Sequence, residues 1–269
     1  MRHPVLRRRI VVLAASAGIT LIAGVMLVQF DRVEKPEVQD SRPSIFRDFH
    51  IIKGKAEAGD AEATVILAKI YAEGKQTPQN YPEAVSWCRK AADQGIAEAQ
   101  YNLGLYYDLG HAFRDTPPAR FGRADEEQAA IWHGRAAEQG HADAQYMLAG
   151  MYAMGRGVER NPNEALKWYY RAAEQGHALA RYNLAHRYER GRDVPQDSIE
   201  AYKWNSLAAD SGLLEAAQDR DRLKRRLTQE QLVEGRKRIQ EFKAKQLRDF
   251  EGRTFKTLMF MSQFSNSHS

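Results

Sequence analysis

One period governs this chain. Gly59, Gly95, Gly140, Gly176 and Gly212 stand at intervals of 36, 45, 36 and 36 residues. The tryptophans keep the same rhythm, Trp87, Trp132, Trp168 and Trp204 at 45, 36 and 36, and so do Tyr71, Tyr107, Tyr152 and Tyr188 at 36, 45 and 36. The heptapeptide AAEQGHA occurs at 136–142 and again at 172–178, with near-copies AADQGIA from Ala91 and AADSGLL from Ala208. A period in the thirties, shared by three residue types, is the mark of stacked helix pairs, a solenoid in which each unit buries its apolar face against the next.

Each unit reads as two helices. Helix A carries Ala99, Leu103 and Tyr107 at i, i+4 and i+8, matched by Ala144, Leu148, Tyr152 and Ala180, Leu184, Tyr188. Ala68, Gly104, Ala149 and Ala185 keep one position small, so that a neighbouring helix can approach. Helix B carries Ala84, Trp87 and Ala91 at i, i+3 and i+7, which is one apolar face. Its start repeats too. Asn80–Glu83, Asp125–Gln128, Asn161–Glu164 and Asp197–Glu200 have the spacing of capping boxes. Pro162 follows one cap at N1, where its missing donor is harmless, and the joint glycine suits the left-handed C′ position.

With both ends and both faces repeating, the stretch AAEQGHADAQYMLAGMYAMGRGVERNPNEALKWYYRAAEQG resembles a Sel-one-like repeat (SLR), a relative of the tetratricopeptide repeat. The resemblance covers residues 44–245. It implies an all-α, right-handed superhelix with a concave face, and a role in binding other proteins as an adaptor, assembly factor, envelope regulator or inhibitor. Some exported members resemble immunity proteins that neutralise secreted toxic phospholipases. The expected organisation is a cap half-repeat at 44–59, repeats at 60–95, 96–140, 141–176 and 177–212, capping helices at 213–250 and an apolar tail at 251–269. Arg220 replaces the leucine expected in a fifth unit, so that end reads as a solvated cap, with Thr228 and Gln231 as a further capping box.

The amino terminus is of another kind. Arg2, Arg7, Arg8 and Arg9 precede an apolar run from Ile10 to Val28, long enough for a bilayer core of about 30 Å. The acid-rich segment after it places the positive flank on the cytoplasmic side. Residues 1–9 read as a cytoplasmic basic end, 10–30 as an uncleaved transmembrane signal anchor in the inner membrane, and 31–43 as a linker to an exported, periplasmic domain. Cleavage at the small residues 14–17 is the alternative and gives a soluble periplasmic protein.

Charge and cysteine usage exclude some functions. Residues 31–212 carry 23 basic and 27 acidic side chains, so no nucleic-acid groove is expected there. One cysteine, Cys88, rules out an internal disulfide. It occupies a variable, surface-adjacent slot, held by His133, Tyr169 and Asn205 in other units, with no base fixed beside it. His141 and His177 are equivalent loop residues in successive units, not a metal-binding pair on one helix. The glycines at Gly155–Gly157 lack the strand and lysine of a phosphate loop. No catalytic constellation, cofactor, metal or small-molecule substrate is expected. An envelope-modifying enzyme would need a clustered Glu/His site that the sequence does not display.

Two features point to a protein partner. Tyr101, Tyr146 and Tyr182, with Asn102, Met147 and Asn183 beside them, share the helix-A side opposite the buried stripe. Such a ladder either binds a protein or packs between units, and tyrosine gives wide contact at low entropic cost. Unit two alone lengthens its A–B connection into the loop 111–124, HAFRDTPPARFGRA, with Phe113, Arg114, Arg120, Phe121 and Arg123. Arginine and aromatic residues on a long loop are typical anchors.

Overall fold

The structure, a computed structural model, describes residues 44–109 and 123–265. Among them are eleven helices and no strand. α1 (Ser44–Glu57) stands alone in front. Four pairs follow: α2 (Ala61–Glu73) with α3 (Tyr81–Asp93), α4 (Ala97–Asp108) with α5 (Arg123–Glu138), α6 (Ala142–Met154) with α7 (Pro162–Glu174), and α8 (Ala178–Arg190) with α9 (Ser198–Asp210). α10 (Leu214–Lys224) and the long α11 (Gln229–Ser265) close the array. Each helix packs mainly on its neighbours in sequence, and α11 returns to cover α9. The fold is an all-helical solenoid.

The repeated apolar positions form the core. Leu67, Leu103 and Leu184 are 0% exposed, as are Ala84, Ala91, Ala129 and Ala136. Alanine at these points lets helices approach until leucine and tryptophan fill what remains. A fully buried leucine contributes about 1.5–3 kcal/mol. Each buried indole also lies under a cation, Lys90 3.8 Å from the Trp87 ring centroid, Arg135 4.3 Å from Trp132 and Arg171 4.6 Å from Trp168. These cations follow their tryptophans by three residues, one helical turn on. Unit four has Leu207 there instead, and Lys203 and Phe242 of α11 cover Trp204.

The heptapeptide AAEQGHA is a joint. The amide of Gly176 donates to the carbonyl of Ala173 and that of His177 to Ala172, both at 3.1 Å, the double bond of a Schellman turn. Gly176 takes φ 96° to make it. The next residue starts the following helix: His177 Nδ1 accepts the amide of Ala180 at 3.1 Å, and His141 does the same for Ala144 at 3.3 Å. The glutamine of the joint acts across units. Gln175 donates to Gln145 at 2.7 Å, and Gln145 donates to the carbonyl of Ala137 at 3.1 Å. Gln139, Gln100 and Ala92 repeat that chain one unit earlier.

Several expectations need correction. Asp125 is not a cap: α5 already starts at Arg123, which therefore belongs to the helix and not the loop, and Asp125 lies in its first turn, where an acid suits the helix dipole. At Asn161 and Asp197 only half of each capping box forms. The Asx side chain accepts early amides, but Glu164 pairs with Lys167 and Glu200 with Lys203, so neither acid is free to reach back. The reciprocal box forms at Thr228 and Gln231. The tail is not separate from the capping helices, because α11 continues unbroken to Ser265. Cys88 is buried rather than close to the surface.

Residues 1–43, with the expected span at 10–30, and Phe113, Arg114, Arg120 and Phe121 lie outside the described residues. Among those described, no helix is long and apolar enough to cross a membrane.

Candidate functional site

α6 and α8 are the first helices of successive units, and a groove of about 350 Å³ lies between them. Its floor exists because Gly150 has no side chain: a Cβ there would meet nothing closer than the Tyr169 hydroxyl at 3.8 Å. The equivalent positions carry Lys69, Leu105 and His186. Met147, Met151 and Met154 line one side, and the Met154 side is open to solvent at 63% exposure. Asn183, Arg187 and Arg192 line the other, with Tyr146 and Tyr169 between.

The walls are held firmly. Tyr146 stacks on His177, the cap of α8, with centroids 4.6 Å apart and 21° between planes. The Arg187 guanidinium lies 5.1 Å from the Tyr169 ring centroid and is ion-paired to Asp193. Burial raises the Tyr169 pKa, so its hydroxyl stays protonated. Asp193 sits at φ 62°, where unit three has Gly157. Its ion pairs to Arg187 and Arg160 hold a side chain where glycine is usual.

Arg156 joins the groove to the stems of the inserted loop. It lines the groove and reaches Asp108, the last residue of α4, at 2.5 Å and Glu126 of α5 at 3.3 Å. One guanidinium thus ties both ends of the insertion to the next unit. Behind it, Asp108 Oδ2 lies 3.1 Å from Nε2 of His133, which is 0% exposed and whose Nδ1 has no partner among the described residues. Gly104 makes room for that ring, since a Cβ there would fall 2.6 Å from His133 Cε1. Asp108 and His133 both depart from their equivalents, Ala72, Ala153 and Glu189 for the first and Cys88, Tyr169 and Asn205 for the second. That paired departure in the one lengthened unit is the sequence signal of the clamp.

Of the sequence-derived candidates, Tyr146 and Asn183 meet in the groove together with Met147. Tyr101 stacks on His141 at 4.7 Å, the same inter-unit contact one step earlier, and Asn102 is half-exposed on α4. Tyr182 lies outside the groove and donates to Asp219 of α10 at 3.1 Å. Arg123 opens α5. Arg156, Arg187, Arg192, Met154 and Gly150 are groove residues that the sequence reading did not single out.

The Sel1 repeat profile matches residues 61–96, 97–141, 142–177 and 178–213. The chain belongs to the Sel1 repeat family. Among solved structures, this Sel1 repeat chain is similar to c5321, a protective antigen present in uropathogenic Escherichia coli strains displaying an SLR fold, at 28% identity and a TM-score of 0.65. The match covers 77% of this chain and 43% of that one. A Sel1 repeat protein from Oxalobacter formigenes matches at 30% identity and a TM-score of 0.57, over 65% of this chain and 66% of that one. This chain therefore spans less than half of c5321 and just under two thirds of the Oxalobacter protein. The immunity protein PA5088 from Pseudomonas aeruginosa, at 21% identity and a TM-score of 0.45 over 77% of each chain, is more distant. No curated protein matches.

Sel1 repeats are generally non-catalytic scaffolds, and Cys88 and the cluster of His186, Glu189 and Asp219 in this one have structural explanations. The Cys88 thiol bonds the carbonyl of Ala99 at 3.2 Å, and burial pushes its pKa up to about 12, the opposite of a reactive thiolate. His186, Glu189 and Asp219 bring one ligand atom each within 4.8 Å of one another. Both carboxylates are already held by Arg222, at 3.0 and 2.9 Å, and a cation beside the guanidinium would be repelled. A hollow of about 460 Å³ at the front of the array, bordered by Ala56, Thr64, Trp87 and Lys90, lacks the convergent arginines of the α6–α8 groove.

Proposed function

We propose that this Sel1 repeat chain is a non-enzymatic scaffold of the cell envelope that recognises a protein partner. In this reading residues 10–30 anchor it in the inner membrane and the right-handed superhelix is exported. The partner meets the helix-A side of the solenoid and the insertion of unit two. The observation that carries the reading is Arg156. It borders an open groove lined by aromatic, methionine and arginine side chains and grips both stems of the insertion. The groove and the stems of the insertion are thereby joined through one side chain. Aromatic, methionine and arginine side chains are enriched where proteins bind one another.

The test is cross-linking of the full chain in its native membrane followed by mass spectrometry, beside a variant whose loop 111–124 is replaced by a five-residue turn. A specific partner, depleted in the variant at unchanged thermal stability, supports the reading. Equal recovery with an intact fold removes the loop from the surface. A reporter fused after residue 40 tests export, and cytoplasmic activity there refutes it.

A further inference from the structure

We infer that the α6–α8 groove takes a short segment of a partner protein in which an apolar side chain lies beside an aspartate or glutamate. The inference rests on the partner-binding reading above and specifies its ligand. Three observations carry it. The first is the missing side chain at Gly150, where a Cβ would meet nothing closer than 3.8 Å and where the other three units carry Lys69, Leu105 and His186. The second is the lining by Met147, Met151 and Met154. Thioether side chains are unbranched and polarisable, and they adapt to apolar groups of irregular shape.

The third is charge. Among the described residues, the charged groups lining the groove are Arg156, Arg187 and Arg192, and no carboxylate lines it. Arg187 is engaged by Asp193, and Arg156 by Asp108 and Glu126. Among the described residues Arg192 has only a contact of 4.0 Å to Asp193, and its side chain is 64% exposed. Its planar fork is therefore available for a carboxylate, which it matches in two-point geometry. A basic segment would meet Arg192, the least offset of the three guanidinium groups, so the same arrangement disfavours the opposite sign.

The experiment selects a displayed library of random dodecapeptides on the immobilised full chain in detergent, in parallel with Gly150→Leu and Arg192→Glu. Leucine at 150 extends into the groove from a position where the Cβ itself meets no clash, and it is a better helix former than glycine, so the variant keeps or raises its melting temperature. The expected result is enrichment of peptides pairing an apolar residue with Asp or Glu. They should lose all measurable binding to Gly150→Leu and bind Arg192→Glu about tenfold more weakly. Peptides without an acidic bias, equal binding to Gly150→Leu, or no enrichment at all overturn the inference. A native cross-linked partner that survives Gly150→Leu overturns the groove assignment alone and leaves the scaffold reading standing. Absence of any partner in the membrane overturns the scaffold reading itself.

Discussion

Tyr146 stacks on the imidazole of His177, and that imidazole also caps α8. One residue of the joint thus ends the link between units, starts the next helix and fixes a tyrosine that lines the groove. His177 Nδ1 accepts the Ala180 amide, and Nε2 lies 3.1 Å from Asp143 Oδ1. Both contacts are satisfied by the neutral ring with its proton on Nε2. Protonation of Nδ1 would remove the cap.

The cap makes stability depend on pH. Burial lowers the His177 pKa in the folded chain, with Asp143 opposing it, so the unfolded chain binds the proton more readily. The stabilisation is complete above the unfolded value of about 6.5 and is lost as pH falls through the lower folded value. His177→Asn keeps a capping oxygen and has no proton to take up. Melting temperatures between pH 7.5 and 5 should therefore fall less for His177→Asn than for the parent. An equal fall in both would show that His177 does not govern the acid limb.

Arg181 is the second test of the joint. It occupies the position of Gln100 and Gln145, and Ser211 that of Gln139 and Gln175. Arg181 donates to the carbonyls of Ala173 at 2.9 Å and Leu207 at 3.1 Å and to Ser211 Oγ at 2.9 Å. Arg181→Gln leaves the Leu207 carbonyl and Ser211 without that donor and should cost about 1–3 kcal/mol in denaturant unfolding. Adding Ser211→Gln rebuilds the Gln–Gln pair of earlier units and should recover about 0.5–1.5 kcal/mol. Strict additivity in the cycle would mean that the two residues are not coupled.

The stem clamp is tested through Asp108. Asp108→Ala leaves His133, 0% exposed, without its Nε2 partner and removes the nearer anchor of Arg156. The expected cost is about 2–3 kcal/mol. His133→Cys added to it gives the Ala and Cys that unit one carries at Ala72 and Cys88. The double variant should be more stable than Asp108→Ala alone, because no imidazole is left buried and unpaired. A double variant less stable than the single would locate the cost in packing around the ring.

These residues also show what could be read in advance. The period alone placed the joints, the tryptophans and the Asx caps at Asn80, Asn161 and Asp197, because each arises for a reason local to its unit, and it failed at Asp125, which lies inside α5. The clamp could not be read that way. Asp108 and Arg156 are 48 positions apart, and the departures at 108 and 133 gain meaning only once the two are seen to touch. The glutamates at N3 misled because a capping box considers only the backbone, while Lys167 and Lys203 lie one turn away and compete for the same carboxylates. The groove was hidden for a different reason. It is made by an absent side chain at Gly150, and a lone glycine within a helix has no periodic partner to draw attention to it.

Gly150 and Gly157 should respond in opposite directions to the same change. Gly150 is helical, with ordinary van der Waals distances around its would-be Cβ. Alanine there narrows the unfolded ensemble and raises helix propensity, for a gain of about 0.5–1 kcal/mol. Gly157 takes φ 63°, and a Cβ would fall 2.0 Å from the carbonyl oxygen of Glu126. Either the turn or the start of α5 would have to move, and Arg156, the neighbouring residue, would lose its reach to Glu126 and Asp108. Gly157→Ala should therefore cost about 2–4 kcal/mol. Guanidinium unfolding of the two variants side by side gives the comparison. A stabilised Gly157→Ala would mean that the turn does not press on α5 as the structure has it, and the link between groove and insertion would fail with it.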